Sequence, residues 1–369
     1  MCPNDTATPC QPLLTSRLFD SEAGSDVTFL VGHEPDTWRF PGHRWVLAEA
    51  NPVFRAMLAK RDDESPEMVI PITDLDGKAF DLLLRYLYKE EVVIQSVPTA
   101  LSTFYAAQKY LCPGLMKLCI TYLDQTLDVS NALQVFEFIR MCSGQCGTAS
   151  APDPDLYDVE PDPNSNVDNM LNLSRSLLHN CLLFIDSHAP EILVQESIED
   201  LKQDSLKEIV QRDTLYAPES LVYAAIERWC NVECKRYHKE LSPDNLRGVL
   251  GDEILFSVRY LLMDEREFLE GPMTGNLLTK PECTVLFAIL RRIPIANTTC
   301  TITEECLAKW KQNRKPPKYS RIPLTKRGSD EKRKTKDKKK KKEKEVSPGR
   351  CTSACVTDYV VRALQCLFD

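Results

Sequence analysis

One stretch, Ser25 to Lys60 (SDVTFLVGHEPDTWRFPGHRWVLAEANPVFRAMLAK), limits the fold of this chain more than any other. Asp26 to Val31 is β-branched and aromatic and reads as a short strand. A turn through Gly32, Pro35 and Asp36 leads to a second strand, Thr37 to Phe40, which Pro41-Gly42 is expected to stop. The following apolar residues, Trp45, Val46, Phe54, Met57 and Leu58, abandon alternation and fall at helical spacings on either side of Asn51-Pro52. Asn51 suits a helix cap, and Pro52 suits a first helical turn, where its missing N–H would be unpaired anyway. The unit predicted is a hairpin feeding two short helices.

Three phrases therefore arrive in order: D-V-x-F-x-V from Asp26, P-x-H-R-x-V-L-A from Pro41, and P-V-F-x-A-M-L from Pro52. In this order and spacing they resemble the opening of a BTB/POZ domain. The likeness continues through Val69-Ile70-Pro71-Ile72, the helix Phe80 to Leu87 ending in Tyr88, Val92 to Ile94, and the helix Leu101 to Leu111. It implies an α+β fold in which a short β-sheet is wrapped by helices, over residues 25–127.

Residues 1–24 read as a flexible leader. Residues 128–142 form a further amphipathic helix, with Ser130 as its expected cap. Residues 143–169 hold Pro152, Pro154, Pro161 and Pro163 among six acidic residues, a composition that buries too little surface to offset ordering entropy. An acidic disordered insert is expected there. From 170 to 297 the periodicity is helical throughout, with Leu171, Leu177, Leu178, Cys181, Leu182 and Ile185 on one stripe. Short helices are expected over Leu193–Leu201, Ser205–Gln211 and Pro218–Arg236, the last with Trp229 inward and Glu219 and Glu227 towards water. Asp213-Thr214-Leu215, Leu221 to Trp229 and Phe256 to Leu262 are similar to a BACK domain, which habitually follows BTB and is all-α. Leu307 to Gln312 is a last helical scrap, residues 309–350 read as a disordered basic tail, and residues 351–369 as a short helix.

Charge sharpens this division. Residues 309–350 carry 19 Lys or Arg against 5 Asp or Glu, a sum of +14; the whole chain is −8, so the remainder sums to −22. An acidic body with a basic tail points to a tail with its own partner or address. Lys326, Arg327, Lys332, Arg333, Lys334, Lys338, Lys339, Lys340, Lys341 and Lys342 have the density of a nuclear-import signal. Import is the first reading of this run and a solvated disordered tail the second. Nucleic acid is not expected as a partner, because no aromatics interleave the basic run. No apolar run approaches the roughly 20 residues that span a bilayer, and the start of the chain lacks a signal pattern, so a cytoplasmic protein with import through the tail is expected.

Fifteen cysteines invite a search for disulfides or zinc. Cys112, Cys119, Cys181, Cys230 and Cys283 sit in apolar periodic segments, and no C-x-x-C knuckle occurs, so buried thiols are expected and no metal. No G-x-S-x-G, phosphate loop or H-E-x-x-H is present. Neither an active site nor a cofactor is expected, and function must reside in surfaces.

Within the BTB–BACK proteins the wording around Phe40–His43, Tyr86–Tyr88, Ala107–Tyr110 and Ala217–Cys234 is similar to the subfamily that ends in a PHR β-sandwich. Nothing after Pro294 has the spaced short strands of such a sandwich, so that domain is expected to be missing. The resemblance implies a homodimeric substrate adaptor for a cullin-3 ubiquitin ligase, with an unidentified substrate. It implies a cullin-binding groove at Phe54, Met57, Leu58 and Tyr110, widened by Val135, Phe136 and Ile139 of a "3-box" helix. The plain alternative is that Phe54, Met57 and Leu58 are simply core. On the groove reading, truncating Phe54 and Tyr110 together abolishes cullin binding and leaves the dimer folded. Arg61-Asp62-Asp63-Glu64 departs from the hydrophobic-x-Glu triplet common after this segment. The resemblance also places Asp26 and Arg44 as a charged pair buried near the dimer interface, against the alternative of an ordinary surface ion pair. Competing functions are a non-ligase scaffold, a regulator that heterodimerises with related BTB–BACK proteins, and a nuclear transcription-related role.

Overall fold

A computed structural model of the chain describes residues 18–59, 68–143, 166–293 and 302–324. The leader up to 17, Arg61 to Glu64, the insert from 144 to 165, the import candidates Lys326 to Lys342 and the stretch 351–369 lie outside the described residues. The chain divides into two compact units, one carried by residues up to Leu123 and the other running from Asp124 to Ile322 apart from Pro161–Leu173.

The first unit is built on β1 (Val27–Val31), the centre of a three-stranded sheet of order β2-β1-β3. β2 (Trp38–Gly42) runs antiparallel to it, pairing Phe29 with Phe40, and β3 (Met68–Ile72) runs parallel. A parallel neighbour needs a crossover. It is supplied by α1 (Arg44–Ala50) and α2 (Pro52–Ala59), the two short helices anticipated after the hairpin. β2 does not stop at Pro41-Gly42 but continues through both. It is an edge strand, where a proline's missing N–H leaves no ladder bond unmade, and the other edge strand also carries a proline, Pro71.

Helices α3 (Gly77–Leu87), α4 (Val97–Lys109) and α5 (Pro113–Gln125) complete this unit. Asp76 caps α3 by accepting from the Ala79 N–H at 2.7 Å, and Ser96 caps α4 through Thr99 N. Between α4 and α5 the chain reverses at Leu111, which takes a left-handed φ of 52°; Pro113 then opens α5 instead of merely breaking α4. Gly114 beside it makes room for the Tyr86 hydroxyl, which a Cβ at that position would force to shift. The core is aromatic: Phe29, Phe40, Phe54, Phe80 and Tyr110 meet with ring centroids 4.8–6.4 Å apart.

Asn51 locks α2 into that core. Its Oδ1 accepts from Val53 N at 2.8 Å and Phe54 N at 3.1 Å, while its Nδ2 donates to the Tyr110 carbonyl at 2.7 Å. Asn51→Ala is expected to destabilise the first unit by about 2 kcal/mol, one cap and one buried tie lost together, as read by thermal melting.

The second unit is helical, with no strand among its described residues. It contains α6 (Ala132–Ser143), the latter part of α7 (Asn166–Ser187), α8 (Ala189–Ile192), a 3-10 turn at Glu196–Asp200, α9 (Gln203–Val210) and α10 (Glu219–Arg236). There follow α11 (Pro243–Leu250), α12 (Asp252–Leu255), a 3-10 turn at Tyr260–Leu262, α13 (Glu265–Glu270), α14 (Lys280–Leu290) and α15 (Glu304–Trp310). The expected stripe on α7 is buried from Leu177 to Ile185, and Trp229 of α10 is buried with its indole N–H on the Leu201 carbonyl at 2.8 Å. No described helix is long and apolar enough to cross a membrane.

Three local expectations are corrected. Asp128, not Ser130, prepares the start of α6: its Oδ1 accepts from Ser130 N at 2.8 Å and Asn131 N at 3.0 Å, a carboxylate out-competing a hydroxyl two residues on. Leu193–Leu201 is not an α-helix but holds only the 3-10 turn. Glu219 does not face water: it is buried, accepts from Arg259 N at 3.0 Å and pairs with Arg314 at 2.7 Å. The basic stretch expected to be disordered from Lys309 is seated on this unit as far as Ile322.

Candidate functional site

The residues expected to form a partner groove are placed mostly inside. On α2, Phe54 and Leu58 are buried and Met57 is half-buried, leaving Pro52, Arg55 and Ala59 as the exposed edge. Phe54 stacks on Tyr110 at 4.8 Å with 23° between ring planes, and meets Phe29 edge-on at 5.7 Å. Tyr110 is wholly buried; its hydroxyl has no hydrogen-bond partner among the described residues, and burial raises its pKa above the ordinary phenol value. The alternative that these residues are core is therefore correct for Phe54 and Leu58. Of the seven groove candidates only Met57 retains exposed surface.

Val135, Phe136 and Ile139 belong to the second unit, all three buried on α6. That helix is tied to α9 by Arg140, whose Nε donates to Glu208 at 2.8 Å and Nη1 to Ser205 at 3.2 Å. Their spacing, i, i+1 and i+4, is the inward stripe of an amphipathic helix, so they pack instead of facing outward.

Asp26 and Arg44 meet, but through a different atom. The Asp26 carboxylate accepts from the Arg44 backbone N–H at 2.7 Å, so it caps the first turn of α1. The Arg44 guanidinium reaches the Leu58 carbonyl at 2.7 Å, satisfying the C-terminal end of α2 where the helix dipole favours a cation. Asp26 is exposed and Arg44 half-buried. The pair is a double helix cap, not a buried ion pair. Beside it His43 is buried: Nε2 lies 3.1 Å from the Ala23 carbonyl, which only accepts, so Nε2 donates and Nδ1 accepts from the Tyr88 hydroxyl at 3.0 Å. Burial pushes the Tyr88 phenol up to about 12.

Sequence reading missed Trp45. Named only among the apolar residues at helical spacing, it is 55% exposed on α1, because that helix buries Val46 and Leu47 and turns Trp45 outward with Glu49. The signal was present in the i, i+4 pairing of Trp45 with a charged residue. An exposed indole is the kind of side chain that anchors interfaces.

The described cysteines are free thiols. Burial pushes Cys112, Cys119 and Cys230 up to about 12 and Cys142 and Cys283 up to about 11, which keeps them protonated and unreactive. No group of three or more His, Cys, Asp or Glu among the described residues is placed to hold a metal. The arrangement can bind and brace; the side chains at α1 and α2 offer caps and apolar surface.

Comparison with protein families matches residues 15–127 to the BTB/POZ domain and residues 170–270 to BACK, "BTB And C-terminal Kelch". Among curated proteins the chain is 32% identical over 281 residues to human BTB/POZ domain-containing protein 6, covering 75% of the chain and 46% of that protein. It is 33% identical over 274 residues to human BTB/POZ domain-containing protein 3, covering 73% and 45%, and 32% identical over 270 residues to the Xenopus laevis BTB/POZ domain-containing protein 6, also 73% and 45%. The chain spans about half the length of the curated relatives it matches. A three-stranded sheet crossed by two short helices, followed by an all-helical unit that matches BACK, completes the case. The chain belongs to the BTB/POZ–BACK proteins.

Proposed function

We propose that the chain is a non-catalytic, homodimeric adaptor that brings a client protein to a cullin-3 ubiquitin ligase. The observation that carries this reading is the succession of a BTB/POZ unit and a BACK unit in one chain, since both are protein-interaction domains. Such an adaptor does no bond chemistry; it supplies proximity between a client lysine and the ubiquitin-charged enzyme the cullin recruits. Two protomers present two client sites and two cullins, and avidity follows without new contacts. The exposed Trp45 on α1, beside the Arg44 cap, supports a dimer surface there. For the cullin, the proposal rests on the outer edge of α2: Met57 makes the contact, while Phe54 and Tyr110 hold the helix in place from behind. The basic run beginning at Lys326 directs a share of this cytoplasmic protein to the nucleus.

The test separates contact from support. Met57→Asp is expected to weaken binding of the cullin-3 N-terminal domain by about tenfold or more, measured by titration, while the dimer mass stays as in wild type and the chain remains folded at a lower melting temperature, because the site is half-buried. Full affinity in a folded Met57→Asp protein would remove α2 from the cullin surface.

A further inference from the structure

The segment Thr303–Ile322 lies past the part of the chain that matches BACK, and it is held to the helical unit by two side-chain anchors and a set of main-chain bonds. The first anchor is Trp310. It is fully buried, donates its indole N–H to the Phe256 carbonyl at 2.9 Å and meets Tyr260 edge-on at 5.2 Å. The second is Arg314, four residues on. Its Nε donates to Glu219 Oε1 at 2.7 Å and its Nη2 to Glu219 Oε2 at 3.2 Å, while Nη1 reaches the carbonyls of Val210 at 2.8 Å and Arg212 at 2.7 Å. Nη2 also reaches the Ser257 carbonyl at 3.2 Å. That is a planar fork read by a bidentate carboxylate and three carbonyls, the recognition that a guanidinium allows and an ammonium does not.

Between and beyond the anchors, backbone is read as backbone. The Gln312 carbonyl accepts from Arg259 Nη1 at 2.7 Å and Lys315 N donates to the Asp213 carbonyl at 2.9 Å. Asn180 then treats Ile322 as a strand partner would, accepting from its N–H at 2.8 Å and donating to its carbonyl at 2.9 Å. Arg321 reaches the Asp124 carbonyl and carboxylate. Pro316-Pro317 keeps the intervening chain out of helix and lowers its ordering cost. Residues 302–324 carry six Lys or Arg and two Glu, a net of +4, and two carboxylates of the seat take up its arginines, Glu219 with Arg314 and Asp124 with Arg321. Trp310 apart, the largest buried side chains of the unit, Trp229, Tyr223 and Tyr260 among them, come from its own helices and turns.

We propose that this face of the helical unit is a linear-peptide site, specific for an indole and a guanidinium four residues apart where a short helix gives way to an extended basic stretch, and that the chain's own Thr303–Ile322 fills it in cis. The seat comes from α7, the Val210–Glu219 connection and the Phe256–Tyr260 turn; the occupant is a separate stretch of sequence. A partner segment with the same spacing takes the site by displacing the chain's own.

The experiment uses the full chain and a fluorescent peptide of residues 302–324. In wild type the cis segment is present at a high effective concentration, so the peptide is expected to bind about a hundredfold more weakly than to a chain whose own anchor is removed. Trp310→Ala and Arg314→Ala are the two vacated chains. Each should bind the peptide and gain melting temperature from it, and a peptide carrying Arg314→Ala should do neither. Equal binding to wild type and to both variants would place the peptide elsewhere and overturn the proposal. So would no binding to either folded variant. If both variants lose helical circular dichroism and the peptide does not restore it, the segment is part of the fold and not a ligand.

Discussion

Replacing Phe54 with alanine is expected to unfold the first unit under conditions where the wild type is native. The ring is fully buried and touches Phe29, Phe80 and Tyr110, so truncation removes its transfer energy and leaves a cavity among aromatics that cannot collapse around it. Loss of a buried phenylalanine costs about 3–5 kcal/mol, against a total of roughly 5–15 for a domain. Urea denaturation of wild type and Phe54→Ala measures the difference directly. This reverses the expectation that Phe54 and Tyr110 can be truncated together and leave a folded dimer. Tyr110→Phe has the opposite sign. It keeps the stacked ring and removes a buried hydroxyl that has no partner among the described residues, so a gain of about 1 kcal/mol is expected. A loss of stability in Tyr110→Phe would mean that the hydroxyl is satisfied after all.

The second large effect belongs to the helical unit. Trp229 of α10 is buried to within 1% and its N–H ends on the Leu201 carbonyl at 2.8 Å, just where the 3-10 turn hands over to α9. Trp229→Ala is expected to cost about 3–5 kcal/mol, combining a large cavity with an orphaned carbonyl. Trp229→Phe separates the two, keeping most of the apolar volume and losing the hydrogen bond, for about 1–2 kcal/mol. Denaturation followed by helical circular dichroism should rank the three proteins in that order. If Trp229→Phe is as damaging as Trp229→Ala, the hydrogen bond and not the packing holds the turn.

These expectations show where a sequence carries its own answer. The hairpin, α1, α2 and the Asn51 cap are legible because each follows from neighbours within a few residues: alternation, Pro52, and an amide beside a helix start. The helical stripe of α7 and the inward face of α10 at Trp229 are legible for the same reason. What could not be read is set by distant partners. Phe54 and Leu58 sit at a spacing that suits an exposed strip or a core equally well, and Tyr110, 56 positions later by the numbering, decides for core. Glu219 sits on a helix start that looks solvent-facing until Arg314, 95 residues on, arrives to pair with it. Asp26 and Arg44 were paired correctly as neighbours, but whether the contact runs through a guanidinium or a backbone N–H depends on the Leu58 carbonyl drawing the side chain away. A polar residue's role is fixed by whichever acceptor or donor the fold brings nearest.

The adaptor reading is tested most directly by titrating the full chain with the N-terminal domain of cullin-3 in a calorimeter, with light scattering on the same sample. A dimer of the 42.0 kDa chain that takes up one cullin per protomer is expected, with Met57→Asp weakening cullin uptake by about tenfold or more and leaving the dimer mass unchanged. A folded chain that gives no heat with cullin-3, or one that stays monomeric at the concentrations of the titration, would contradict it.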